Sequence, residues 1–149
     1  MGWRIGEILV QKKLITWDQL NTILEEQKDS KKLLGEILVE QKLVSIFFLY
    51  QALAEQYSLR FVDLDRTHIN PKALEMVPRE IAERYHLIPI EIRTGKLILG
   101  ISNPLNIWPE SEIKQLTGIT DMQTVLCLPD QIEKTATEEY EKLSAIHDT

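Results

Sequence analysis

The chain lacks most of what catalysis, secretion or membrane passage requires. Cys127 is the only cysteine among 149 residues. One thiol closes no internal disulfide, which excludes a stapled secreted fold. Arg4, Glu7 and Lys12 interrupt the N-terminal apolar residues, so no signal peptide is expected. No stretch approaches the ~18 uninterrupted apolar residues of a membrane span, and the expected compartment is the cytoplasm.

Basic charge is also scarce. The net charge is −6. Residues 1–58 hold 7 Lys/Arg against 8 Asp/Glu, and residues 59–149 hold 10 against 15, so the halves carry −1 and −5. Nucleic-acid binding needs several phosphates neutralised by clustered cations, and neither half offers that surplus. The acidic second half argues against an anionic membrane as well.

Catalytic constellations are missing in turn. Gly95-Lys96 has no upstream glycine and is followed by leucine rather than Ser/Thr, so it is no phosphate-cradling loop. His68, His86 and His147 stand apart in sequence, without cysteines or paired carboxylates at metal-ligand spacing. Cys127 lies in an apolar segment and reads as a small buried hydrophobe. The carboxylate pairs Asp63/Asp65 and Glu110/Glu112 read as solvated surface. No enzymatic activity is expected of this chain.

A duplication organises what is present. Arg4–Gln27 (RIGEILVQKKLITWDQLNTILEEQ) aligns without a gap on Leu33–Gln56 (LLGEILVEQKLVSIFFLYQALAEQ) at an offset of 29, with eleven of 24 positions identical. Lys28–Lys32 is the polar spacer. In each copy apolar residues recur at helical spacing: Ile5, Ile8 and Leu9, then Leu20, Ile23 and Leu24; Leu34, Ile37 and Leu38, then Leu49, Ala52 and Leu53. Thr16, with Gln19 three residues on, is a capping-box signature, and Ser45 occupies the equivalent cap. Each copy is therefore a predicted helical hairpin. One hairpin alone cannot bury its stripe, so two should share one four-helix core.

The pattern changes after Tyr57. Strands are predicted at Arg60–Leu64, Leu87–Arg93, Lys96–Ser102 and Met122–Leu128, with Thr94-Gly95 turning the middle pair into an antiparallel hairpin. Asn70-Pro71 and Val77-Pro78 introduce helices over Lys72–Met76 and Arg79–Tyr85. Pro109–Leu116 is helical and ends at Gly118. Pro129-Asp130 opens a last helix, Gln131–Leu143, and Ser144–Thr149 is an expected frayed tail. The fold class is α+β: a four-helix unit over residues 1–58, then a small mixed-sheet α/β unit over residues 59–149.

The duplicated block and the continuation FVDLD…INPKAL…VPREIAERY…LIPIEI…GKLILGISNPL…EIKQLTG resemble the N-terminal domain of type II secretion and type IV pilus assembly ATPases over about Arg4 to Leu143. The resemblance implies a regulatory and docking domain without catalysis of its own. Its implied partners are a downstream ATPase domain and the cytoplasmic domain of an inner-membrane platform protein, which would hold the chain peripheral to that membrane. No cofactor is implied as a requirement. Some members of the family bind cyclic di-GMP through two tandem 24-residue motifs separated by five residues, the spacing found here. Carried over by position, the ligand residues would be Arg4, Ile5, Gly6, Leu20, Leu24 and Gln27 from the first copy. The second copy would supply Leu34, Gly35, Leu49, Leu53 and Gln56. In this scheme arginine pairs bidentately with a guanine edge or phosphate, glycine admits close backbone approach, leucines pack on purine faces, and glutamine bonds a base edge. Two departures stand out. Leu33 occupies the second copy's arginine position, a loss that costs a dianionic ligand ~1.5–3 kcal/mol, about 10- to 100-fold. Lys13 and Lys42 replace a mid-motif glycine, an expected strain of ~1 kcal/mol at each helix end.

Overall fold

The computed structural model describes residues 5–105 and 108–147, the side chain of His147 excepted. The chain separates into two compact units, Met1–Leu59 and Arg60–Thr149.

The first unit holds α1 (Ile5–Gln11), α2 (Trp17–Lys28), α3 (Leu34–Glu40) and α4 (Ile46–Gln56). Its helix ends follow from local chemistry. Thr16 Oγ1 accepts the Gln19 amide at 3.1 Å while Gln19 Oε1 accepts the Thr16 amide at 2.9 Å, a complete capping box. Ser45 Oγ accepts the Phe48 amide at 3.2 Å. The short helices α1 and α3 end identically: the Lys13 and Leu14 amides donate to Val10 and Leu9, and the Lys42 and Leu43 amides to Val39 and Leu38. This is the Schellman pattern, which needs a left-handed residue just past the helix. Lys13 (φ 62°) and Lys42 (φ 61°) supply it.

Helix α1 packs on α4 and α2 on α3. Each copy's first helix thus lies against the other copy's second helix, a pseudo-twofold exchange that neither hairpin achieves alone. One cluster results, with Leu9 and Leu38 at its centre, both fully buried, and Ile8, Ile15, Leu20, Ile23, Ile37, Val44, Leu49 and Ala52 around them. Each fully buried aliphatic side chain contributes ~1.5–3 kcal/mol.

The second unit holds α5 (Pro71–Met76), α6 (Arg79–Tyr85), β1 (Leu87–Arg93), β2 (Lys96–Ile101), α7 (Glu110–Thr117), β3 (Asp121–Leu126) and α8 (Pro129–His147). The sheet order is β1-β2-β3, with β1 antiparallel and β3 parallel to β2. Helices α5, α6 and α8 pack against β1, and α8 also reaches β2. Asn70 caps α5 through its side chain and Pro71 occupies the first turn. Gly118, left-handed at φ 72°, ends α7. The Tyr140 hydroxyl donates to the Val77 carbonyl at 2.8 Å, fastening α8 to the end of α5.

Two expectations are corrected. The predicted strand Arg60–Leu64 reduces to one parallel bridge between Phe61 and Leu126. Asp63 accepts the Asp65 amide at 3.1 Å and Gln131 Oε1 accepts the Leu64 amide at 3.0 Å. Side chains thus take the backbone groups a strand would use, and Leu64–Arg66 turns into a 3-10 helix. The predicted frayed tail is helical as far as His147, since no Gly or Pro interrupts Gln131–His147; Asp148 and Thr149 lie outside the described residues.

Candidate ligand-binding site

Of the eleven ligand candidates, Arg4 lies outside the described residues. The structure brings three others together across the duplication. Gly6 faces Leu20 and Leu34 so closely that a Cβ there would sit 2.7 Å from Leu20 Cδ1 and 3.3 Å from Leu34 Cδ2. The second copy repeats half of this contact: a Cβ on Gly35 would lie 2.9 Å from Leu49 Cδ2. Both glycines therefore let a leucine fourteen residues on pack onto the helix backbone, and Leu34 joins the copies at Gly6.

Leu20 and Leu49 belong to the core, with Ile5, Leu34 and Leu53 packed half-buried against it. Leu24 differs from its counterpart Leu53: it is 39% exposed. Gln27 and Gln56 are half-buried at the ends of α2 and α4, and Gln27 Nε2 donates weakly to the Lys32 carbonyl at 3.4 Å.

Leu33 is the N-cap of α3 in extended conformation and is 68% exposed. It projects no donor. Its neighbour Lys32 could carry the missing charge, but its ammonium sits on Glu40 at 2.7 Å. That pair is about half exposed and weak, so it delays rather than forbids a move of Lys32 to a ligand. Lys13 and Lys42 hold the left-handed turn that glycine would hold, so the turn geometry survives the substitution and the strain remains.

The other sequence candidates serve structure. Cys127 is buried, and burial together with the nearby Asp63 charge pushes its thiol up to about 12; it stays protonated and inert at neutral pH. Asp63 and Asp65 both accept from Gln131 Nε2, at 2.9 and 3.1 Å. Glu110 pairs with Lys114 at 3.1 Å. His68 is exposed, and His86 is the left-handed C-cap of α6. No cluster of three or more His, Cys, Asp or Glu that could hold a metal ion occurs among the described residues, and no described helix is long and apolar enough to cross a membrane. One feature escaped sequence reasoning, a cationic groove on the sheet of the second unit.

A duplicated helical-hairpin unit is thus joined to a three-stranded α/β unit. The MshEN domain family matches residues 57–145. The chain belongs to this family, the N-terminal domain of type II secretion and type IV pilus assembly ATPases. It is 30% identical over 140 residues to the type IV pilus assembly ATPase PilB of Myxococcus xanthus, covering 94% of this chain and 24% of that protein. It is 29% identical over 118 residues to PilB of Thermus thermophilus, covering 78% of this chain and 13% of that protein. Bacteriophage adsorption protein B of Escherichia coli is 32% identical over 96 residues, 64% of this chain and 13% of that protein. The chain thus spans a quarter or less of each of these relatives. Among solved structures it superposes on MshE with cyclic di-GMP at a TM-score of 0.77 and 25% identity, covering 93% of this chain and 99% of that one. The N-terminal domain of XpsE superposes at 0.60 and 22% identity, covering 92% and 97%, which shows the shared fold.

Proposed function

We propose that this chain is a cytoplasmic, non-catalytic regulatory domain of a secretion or pilus assembly ATPase, and that it binds cyclic di-GMP across its tandem motifs. The observation that carries the reading is the pseudo-twofold exchange of α1/α4 and α3/α2. A ligand made of two identical halves suits a site made of two near-identical halves, joined where Gly6, Leu20 and Leu34 meet. The superposition on MshE with cyclic di-GMP supports it. In this reading Arg4 holds one guanine–phosphate half, Leu24 offers an exposed apolar face to a purine, and Gln27 a base-edge donor. The second half is weaker because Leu33 contributes no charge.

Calorimetric titration of the chain with cyclic di-GMP, with GTP and cyclic di-AMP as controls, tests this. Saturable one-to-one binding lost in Arg4→Ala is the expected result. Absence of heat at ~100 μM ligand, a limit near −5.5 kcal/mol, removes the sensor reading.

A second reading assigns the α/β unit to docking on the cytoplasmic part of an inner-membrane platform protein. Its support is the kinship with pilus assembly ATPases and the solvent-facing leucines Leu105 and Leu116. Binding to that platform region should fall at least ~10-fold in Leu105→Asp/Leu116→Asp; undiminished binding would move the docking surface elsewhere.

A further inference from the structure

The second unit carries 10 Lys/Arg. Five are neutralised locally: Arg66, Arg79, Arg84, Lys114 and Lys142 each pair with a carboxylate. Of the five others, three line one groove. Arg60, Arg93 and Lys96 surround a depression of about 240 Å³ on the sheet, floored by Val62, Ile90, Ile98 and Val125 and flanked by His68 and Gln123. None of the three cations forms an ion pair within 4 Å among the described residues. In a unit of net charge −5, this concentration of unpaired positive charge has a specific structural cause.

That cause is a β-bulge. Simple alternation along β1 would set Ile88, Ile90 and Ile92 on one face and Glu91 and Arg93 on the other. The register shifts between Pro89 and Glu91, and beyond it Glu91 and Arg93 join Ile90 in lining the groove, while Ile92 packs into the core. A bulge of this kind re-aims side chains. Arg93 pairs in register with Lys96 across the hairpin, so two cations stand side by side, where like charges directly opposite are destabilising. The turn joining them puts Thr94, a β-branched residue, at φ 50°, a conformation β-branched residues rarely take. The hairpin keeps a repulsion and a strained turn at the mouth of one groove.

Charge arithmetic selects the ligand. Three cations against Glu91 leave about +2. Glu91 is already occupied: it accepts from Asn70 Nδ2 at 2.9 Å and from its neighbour's amide, Ile92, at 3.1 Å, and these bonds hold its pKa down. A phosphomonoester carries about −1.5 to −2 at neutral pH. The volume lies under the ~300–1,000 Å³ of sites that engulf whole drug-sized ligands, so the groove takes a phosphate and the small apolar part attached to it. We infer that the Arg60–Arg93–Lys96 groove is a binding site for the phosphomonoester group of a small molecule, separate from the tandem-motif site.

An amide-resolved NMR titration of the 149-residue chain tests this with inorganic phosphate, AMP, adenosine and a short glutamate peptide. Phosphate and AMP should shift the amides of Arg60–Val62, Arg93–Lys96 and Gln123 saturably below about 10 mM, with AMP tighter if a phosphomonoester rather than free phosphate is the preferred source. Adenosine should not. Arg93→Gln/Lys96→Gln should weaken binding at least ~10-fold, with a thermal midpoint that holds or rises as the cross-strand repulsion is removed. Absence of shifts at these amides, equal shifts from the glutamate peptide, or undiminished binding by the double variant overturns the assignment. Because the groove lies wholly in the second unit, its outcome is independent of whether cyclic di-GMP binds the first.

Discussion

The two hairpins of the first unit share their caps, their Schellman turns and their glycine–leucine contacts, yet differ at the residue that opens each motif and in the exposure of one leucine. Leu9 and Leu38 are equally buried, and Lys13 and Lys42 differ by one degree in φ. By contrast, the first copy opens with Arg4 and the second with Leu33, while Leu24 faces solvent more than Leu53. Duplication has preserved what folds the unit and let the arginine position of the proposed ligand site drift.

The sharpest way to break that symmetry is to empty its centre. Leu9→Ala and Leu38→Ala should each lose ~2–5 kcal/mol and, if the copies are structurally equivalent, match within ~0.5 kcal/mol in chemical denaturation. Unequal losses would show that one hairpin carries the core. Restoring the missing charge tests recognition instead. Leu33→Arg should tighten cyclic di-GMP binding by about 10- to 100-fold in calorimetry. Leu33 is exposed, so stability should barely change.

A methyl at the helix crossing probes the shared contact. Gly6→Ala and Gly35→Ala must displace buried Leu20 and Leu49; overpacking of ~1–3 kcal/mol against a helix-propensity gain of up to ~1 kcal/mol leaves a net loss of about 1 kcal/mol in melts. Gly6 should suffer more because Leu34 crowds it as well. The smallest effect has the opposite sign. Lys13→Gly or Lys42→Gly relieves a left-handed penalty of roughly 1–2 kcal/mol, partly offset by glycine's unfolded-state entropy, and should stabilise the chain by up to ~1 kcal/mol in the same melts.

These contrasts also explain what the sequence disclosed. Helix ends were legible where a side chain or a glycine closes them, as at Thr16, Ser45, Asn70 and Gly118, because capping is local chemistry. The β1–β2 hairpin was legible from Thr94-Gly95. The duplication marked Gly6, Leu20, Gly35 and Leu49 as special, but not that the glycines receive the leucines; that depends on how the helices cross. Arg60–Leu64 misled because its β-forming residues compete with Asp63, whose partner Gln131 lies 68 residues away. The cationic groove was illegible for a similar reason: period-two alternation put Arg93 on the wrong face, and nothing in LIPIEIR announces a one-residue shift in register.

The brief pairing of Arg60–Val62 with β3 has a further consequence. The Val62 amide donates to the Leu126 carbonyl at 2.9 Å and the Leu126 amide to the Arg60 carbonyl at 2.8 Å, so these three residues cover the Leu126 end of the sheet's outer margin. A fragment beginning after Val62 would bare the Leu126 amide and carbonyl as well and lengthen the open edge available for strand addition between molecules. One beginning at or before Arg60 would keep both groups covered. The entry segment of the second unit thus shortens the open edge of β3 by its last residue.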